Sequence, residues 1–413
     1  MTTNTQPNHV EQNNDVTFSE IVWQQFKKNN IALGSLWVLG GLFILAVIAP
    51  VVASERPFVW SEDGQTYFPW FRSLFDHNDY ENGVDKFFNL ILLMGAPISG
   101  CYVWHRRSMR REQIQKRIAT VRSRKFGFML AAIFMLVYGL ILATQSGYAN
   151  PYRHSGYVKA LDAGKTVEAF FPIIPYGYAK QNLRESLQPP SGKHILGTDR
   201  KGRDVAVRML FGIRISLSVG VIAVGIYVTI GILLGALAGF YRGWVDLVVQ
   251  RIIEIFMSVP TLIVLLVLVS FIKQPSIFHI MLVIGLFRWT GVARLVRGEF
   301  YRLRNLDFVT SAIALGFSTP RIIFHHILPN ALGPVLVSAT FGVAAAILIE
   351  SSLSFLGLGD INVPSWGQTL NAGYQSKEWY LILIPGCAIF ITVTLLNLVG
   401  EGLRDALDPK MRK

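Results

Sequence analysis

Residues 215–240 read ISLSVGVIAVGIYVTIGILLGALAGF, a run of 26 residues without one charged side chain. An α-helix of about 20 such residues crosses a hydrocarbon core about 30 Å thick. Comparable runs recur along the 413 residues, of which 52% are hydrophobic and 16% are charged, and the mean hydropathy is +0.41. The sequence therefore predicts an all-α, polytopic membrane protein rather than a soluble domain.

The uncharged runs predict about eight transmembrane helices with both termini in the cytoplasm. Lys27 and Lys28 precede the first run, residues 31–52, and basic residues beside a span mark its cytoplasmic end. The polar tail of residues 1–30 is therefore predicted in the cytoplasm. The loop at 53–86 suits the external side, because it holds seven acidic residues against three basic ones. The remaining predicted segments are a helix pair at 87–144, an external segment at 145–213, and a core of residues 214–413 with spans near 215–240, 252–272, 277–289, 332–349 and 379–399.

A strongly basic linker separates the two predicted helices of residues 87–144. Residues 105–125 hold nine Lys or Arg and one Glu. Short loops rich in Lys and Arg stay in the cytoplasm, where they face anionic lipid. The net charge of +13 is thus explained by topology and by membrane lipid, and no nucleic acid is expected as a partner.

Two helix-packing signals lie in the fourth and fifth predicted spans. Gly231, Gly235 and Gly239 recur every four residues, a pattern that lets two helix backbones approach closely. We expect this face to pack within the chain rather than against another subunit. Pro260 removes one backbone hydrogen bond and is expected to kink the fifth span.

The loop between the sixth and seventh predicted spans, residues 294–330, reads RLVRGEFYRLRNLDFVTSAIALGFSTPRIIFHHILPN. Its spacing predicts two short helices. Gly316 follows the first of them as a C-terminal cap able to adopt positive φ. The apolar face of that first helix carries Phe308, Val309, Ala312 and Leu315.

The second short helix is predicted to open with Thr319 as its N-cap and Pro320 at its first position, and to end at Pro329. A cytoplasmic helix–turn–helix whose apolar face exceeds the needs of its own core predicts a docking element for another protein. The apolar face of this second helix carries Ile322, Ile323, His326 and Ile327.

This loop resembles the coupling loop of ABC importer permeases, in which a Glu-Ala-Ala triplet is followed by Gly and then by Leu-Pro. Thr310, Ser311 and Ala312 stand at the triplet, which is therefore degenerate in this chain. The later positions of the pattern match at the expected spacing, with Gly316, Leu328 and Pro329.

The wider resemblance, over about residues 190–412, is to the second permease subunit of dipeptide and oligopeptide importers. The usual member has six spans, so residues 87–144 add two. SERPFVWSEDGQTYFPWF at 54–71 and FFPIIPY at 170–176 further resemble the branch that takes up oligopeptides and microcin C-like peptides. The motifs similar to the subfamily are HILGTDRKGRDV at 194–205, GIRISLSVG at 212–220, AGFYRGWVD at 238–246, HILPN at 326–330, ESSLSFLGLG at 350–359, PSWG at 364–367 and LRDALDP at 403–409.

The resemblance implies an ABC importer type I permease fold in residues 214–413, with the coupling loop at 305–329, in a bacterial cytoplasmic (inner) membrane. It implies a second homologous permease subunit, two ABC ATPase subunits and an external peptide-binding protein as partners, with a peptide as the substrate. It implies no catalytic role for this chain. The residues that it assigns to ATPase coupling are Asp307, Thr310, Ser311, Ala312, Leu315, Gly316, Ile323, His326, Leu328 and Pro329.

Two other functions remain open at this point: a permease of the same family for nickel or another small solute, and an ion-coupled secondary transporter. The sequence contains no G-x-x-x-x-G-K-[ST] motif, so ATP and Mg are expected only on partner subunits, with no cofactor on this chain. His325 and His326 lack a second ligand pair, and no metal site is predicted.

Glu350, near the end of the seventh span, either lines the translocation pathway or makes a structural hydrogen bond. Asp204 is the predicted N-cap of a helix that begins at Val205.

Overall fold

The computed structural model describes residues 18–62, 65–111, 116–144, 156–157 and 168–408. Most of them are helical, and three short strands form one small sheet. In chain order the elements are α1 (Phe18–Phe26), α2 (Asn30–Val52), β1 (Val59–Glu62), β2 (Gln65–Tyr67), α3 (Pro69–Ser73), α4 (Gly83–Arg111), α5 (Lys116–Thr144), β3 (Glu168–Phe170), α6 (Val205–Tyr241), α7 (Gly243–Met257), α8 (Thr261–Ser270), α9 (Ile277–Leu303), α10 (Asp307–Ala314), α11 (Thr319–Phe355), α12 (Trp366–Ser376) and α13 (Trp379–Leu407).

Seven helices in the described part of the chain are long and apolar enough to cross a membrane, and α7 with α8 makes an eighth if the pair is taken as one bent span. The all-α polytopic prediction is therefore confirmed. Pro260 stands at the break between α7 and α8, which are bent by 75°. Because proline cannot donate a backbone hydrogen bond, the predicted kink becomes a full interruption of the helix.

Several helices extend beyond the uncharged runs that predicted them. α9 continues to Leu303, although the apolar run that predicted it ends at Trp289, and α11 covers residues 319–355 instead of 332–349. Hydropathy measures the stretch of helix that suits lipid, whereas the backbone hydrogen bonds continue into flanking charged turns. α6 likewise begins at Val205, where the Asp204 side chain accepts a hydrogen bond from the Val207 amide at 3.0 Å. That confirms the predicted N-cap.

The glycine face of α6 packs against α9 inside the chain. A Cβ added at Gly235 would come within 2.5 Å of the carbonyl oxygen of Ala293, and one at Gly239 would meet Phe300 equally closely. Real Cβ atoms do not approach so near, so only glycine permits this helix separation. The expectation of packing within the chain is confirmed.

The two ends of the helical bundle differ. One end, called the sheet end below, carries residues 53–82, 168–204 and 356–378 around the sheet in which β1 pairs antiparallel with both β2 and β3. The other end, called the α10 end, carries α1, α10 and the last turns of α9 and α13. The chain alternates between these ends from one long helix to the next, as a membrane-spanning bundle requires.

A fully buried ion pair joins α4 to α6. Arg214 Nη1 lies 3.1 Å from Asp85 Oδ1, and both side chains are 0% exposed. Arg214 Nε also donates to the carbonyl oxygen of Ala46 in α2 at 2.7 Å. That carbonyl has no intrahelical donor, because the residue four positions later is Pro50, which has no N–H. The arginine therefore ties three helices together at one point.

Candidate coupling site

The first half of the coupling loop folds as α10 and ends in a glycine turn. Gly316 has a φ of 76°, as predicted, and no atom lies near its missing Cβ. The Phe317 amide donates to the carbonyl of Ala312 at 3.1 Å, and the Gly316 amide donates to that of Ile313 at 2.9 Å. These two hydrogen bonds form the Schellman arrangement, which satisfies the last carbonyls of α10 and reverses the chain direction.

The second half of the loop is not a separate helix, so that prediction is wrong. Ser318, not Thr319, is the N-cap, and the helix that begins there continues through Pro329 to Phe355. A π-helical stretch at Ile322–Ile327 precedes the proline. Its wider turn moves the backbone away from the proline ring, which would otherwise clash with the carbonyl four residues earlier.

The apolar residues predicted to dock a partner divide into two groups. Val309 and Ala312 of α10, with Ile322, Ile323 and Ile327 of α11, are buried in one core cluster together with residues of α6 and α9. This half of the predicted docking face therefore serves to fix the loop to its own bundle. Ala312 and Ile323, assigned to the coupling contact by resemblance, belong to this buried group.

Other apolar side chains of the same segment are exposed at the α10 end. Leu315 is 73% exposed and Phe324 is 48% exposed. A row of large exposed apolar side chains beside charged ones is typical of a surface that another protein covers. These side chains, called the exposed set below, are Leu306, Phe308, Ile313, Leu315 and Phe324. Of the exposed set, Leu315 alone is among the residues that the resemblance assigns to coupling.

The other predicted coupling residues lie on or beside the exposed set. His326 is half-buried, and its ring stacks on Phe317 with centroids 5.6 Å apart. Leu328 is half-buried too, where α11 enters the bundle. The exposed members of the predicted group are Asp307, Thr310, Ser311, Leu315, Gly316 and Pro329.

A polar network that the sequence did not predict ties the end of α9, just before the loop, to the start of α7. Asp246 of α7 accepts from Arg297 Nε at 2.5 Å and from Arg297 Nη2 at 2.7 Å. The Tyr301 hydroxyl donates to the same carboxylate at 2.7 Å. Arg297 and Tyr301 lie four residues apart and therefore on one face of α9, which is the only sequence signal for this network.

Two further arginines hold the same junction. Arg242, between α6 and α7, donates to the side chain of Asn305 at 3.3 Å, and its guanidinium lies 4.8 Å from the ring centroid of Tyr301. Arg304 donates to the carbonyl of Phe240 at the end of α6. The residues that lead into the coupling loop are thus fixed to α6 and α7 together.

Glu350 is buried and hydrogen-bonded between two helices. Its side chain is 0% exposed, and it accepts hydrogen bonds of 2.7 Å from the hydroxyls of Ser354 and Ser365. Of the two roles left open by the sequence, the geometry is that of the structural hydrogen bond. The carboxylate joins α11 to the N-cap of α12.

Within the described ranges, no group of three His, Cys, Asp or Glu side chains is placed to hold a metal ion. The site combines the exposed set with the polar network around Asp246. Such an arrangement can transmit movement between a partner and the helices.

The comparisons with known proteins agree with this geometry. The chain belongs to the family of binding-protein-dependent transport system inner membrane components, whose model matches residues 231–413. The model of the N-terminal transmembrane domain of oligopeptide transport permease C matches residues 17–71. The predicted resemblance to dipeptide and oligopeptide permeases is thereby confirmed, and the chain is a multi-pass permease of the inner membrane.

Two relatives show how far the similarity extends. The inner membrane ABC transporter permease protein YejE of Escherichia coli is 30% identical over 397 residues, covering 94% of this chain and 96% of that protein. The dipeptide transport system permease protein DppC of Alkalihalophilus pseudofirmus is 40% identical over 251 residues, covering 60% of this chain and 82% of that protein.

A solved structure is also similar. A chain of the inward-facing MetNI methionine ABC transporter matches 49% of this chain and 96% of its own length, with 18% identity and a TM-score of 0.42.

Proposed function

We propose that this chain is the pore-forming subunit of an ATP-driven importer that takes up peptides across the inner membrane. The observation that supports this proposal most directly is the exposed set beside α10, because it gives a separate ATPase an apolar surface on which to dock. The peptide substrate follows from the relatives, of which DppC is named for dipeptide transport and a matching family model for oligopeptide transport.

The proposed assembly contains a second homologous permease, two ABC ATPases and an external peptide-binding protein. The ATPase subunits bind ATP and Mg and hydrolyse the ATP, and this chain has no catalytic role. The α10 end and both termini lie in the cytoplasm, and the sheet end lies outside. The nine basic residues of 105–125, which belong to the α10 end in this arrangement, support that orientation.

The proposed mechanism is alternating access. Closure of the two ATPases moves the exposed set, and with it the end of α9. The Asp246 network passes this movement to α7, whose bent junction with α8 at Pro260 lets α7 turn without carrying α8 rigidly along. Two packed arrangements of the same helices, biased by nucleotide, are enough to open the pathway to one side at a time.

The test is uptake of a labelled peptide into proteoliposomes that hold the complete complex, with ATP inside the compartment that contains the ATPases. We expect uptake only with ATP, the binding protein and both ATPases present. Vesicles with this chain and its permease partner alone are the matched control. Uptake by that control, driven by a proton or sodium gradient, would identify a secondary transporter and overturn the proposal.

A further inference from the structure

A cavity of about 500 Å³ lies at the sheet end, between the turn at residues 197–204 and the helix α12. Its volume lies within the range of small-ligand sites. It is separate from the coupling site, which lies at the α10 end. Its charged lining residues are Asp199, Arg200, Lys201 and Arg203, and its other polar lining residues are Ser354 and three amide side chains of α12, Gln368, Asn371 and Gln375.

The turn that forms one wall of the cavity is rigid. Asp199, 2% exposed, accepts hydrogen bonds from the amides of Lys201 at 2.9 Å and Arg203 at 3.0 Å. Gly202 has a φ of 66°, and its missing Cβ would overlap the carbonyl of Asn182. A turn locked in this way holds the side chains at its tip in fixed positions before any ligand arrives.

The charges at this tip are not balanced within the described part of the chain. Arg203 Nε donates to Asp199 Oδ2 at 2.7 Å, and Asp199 is the one carboxylate in the lining. Arg200 donates one N–H to the side chain of Gln375 at 3.2 Å, and its remaining N–H groups have no carboxylate partner. Lys201 is exposed, and its ammonium forms no ion pair with a described residue. Neither side chain contributes an ion pair to the fold.

We propose that this cavity binds a carboxylate group, with Arg200 and Lys201 as its charged contacts. The proposal rests on the proposed function, because the sheet end is external only in that arrangement. A carboxylate accepts paired hydrogen bonds from a guanidinium, as a phosphate does, and the carboxylate is the anion that a peptide or a protein ligand carries. Two sources can supply it: the C-terminus of the imported peptide, and an acidic side chain of the docked binding protein.

The experiment uses the complete complex in proteoliposomes, with Arg200→Gln/Lys201→Gln as the variant. One peptide is supplied both as the free acid and as its C-terminal amide. Loss of two charge-assisted contacts corresponds to about a tenfold effect or more. If the peptide supplies the carboxylate, uptake of the free acid at saturating binding protein falls about tenfold, while uptake of the amide is unchanged.

If the binding protein supplies the carboxylate, the two peptides respond alike. The concentration of binding protein that gives half-maximal ATPase stimulation then rises about tenfold. Arg184→Gln is the matched control, because Arg184 is an exposed basic residue of the same segment outside the cavity. Both measurements at wild-type values in the double variant would overturn the carboxylate site. Absence of uptake by the unaltered complex would instead refute the proposed function.

Discussion

The buried ion pair between α4 and α6 gives the most quantitative prediction. In Asp85→Ala, Arg214 keeps its place in the bundle but loses its carboxylate. We expect the variant to be less stable than the unaltered chain by about 3–5 kcal/mol, the usual effect of breaking a buried ion pair from one side. The estimate applies here because both side chains are 0% exposed, so water cannot replace the missing partner.

The matched variant removes both charges, as Asp85→Ala/Arg214→Met. Neither charge of this ion pair is then left buried without its partner. A methionine fills the arginine's volume between Phe88 and Phe211, which flank the guanidinium. The remaining effects are the losses of the Asn82 contact to Asp85 and of the Arg214 donors to the Val47 and Ala46 carbonyls, the last of which costs about 1–3 kcal/mol. The double variant should therefore be more stable than Asp85→Ala alone.

The assay is reversible unfolding in mixed detergent micelles, followed by the loss of helical signal. Adding the single variant Arg214→Met completes a double-mutant cycle, which gives the coupling of the two charges. A loss below about 1 kcal/mol in Asp85→Ala would refute the reasoning. So would a double variant less stable than the single one.

Three further outcomes follow from the α10 end. Gly316→Val places a Cβ at a φ of 76°, at a cost of about 1–2 kcal/mol, so membrane insertion should persist while ATPase co-purification or coupled uptake falls. Loss of the protein from the membrane would show that this glycine serves folding instead. Asp246→Ala should raise the ATP hydrolysed per peptide at least fivefold, by uncoupling α9 from α7, and the exchange Asp246→Arg/Arg297→Asp should lower it again. An unchanged ratio in Asp246→Ala would contradict the transmission role. In a background without native cysteines, Ser108→Cys should resist an impermeant external thiol reagent while Ile361→Cys at the sheet end reacts, and the reverse pattern would invert the topology.

The parts of the fold that the sequence predicted depend on local chemistry. Apolar runs identified the long helices because lipid imposes a length and a composition on each segment separately. Gly316 was identifiable because few residues other than glycine tolerate its backbone conformation. The N-cap role of Asp204 is equally local, since the side chain bonds an amide three residues away.

The parts that the sequence did not predict depend on tertiary contacts. Pro329 suggested the end of a helix, but a preceding π-turn absorbs its ring and the helix continues. The coupling-loop apolar residues look alike in sequence, and only the position of α6 and α9 separates buried Ile323 from exposed Phe324. Asp85 and Arg214 are 129 residues apart, and no spacing rule connects them.

The central claim is that a separate ATPase docks at the α10 end and not at the sheet end. Leu315 and Ile361 make a matched pair for testing it, since they are 73% and 71% exposed at opposite ends of the bundle. A photo-crosslinking amino acid is placed at each position in turn, and the complete complex is irradiated. We predict that Leu315 forms a crosslink to an ATPase subunit and Ile361 does not. An ATPase crosslink from Ile361, with none from Leu315, would contradict the account.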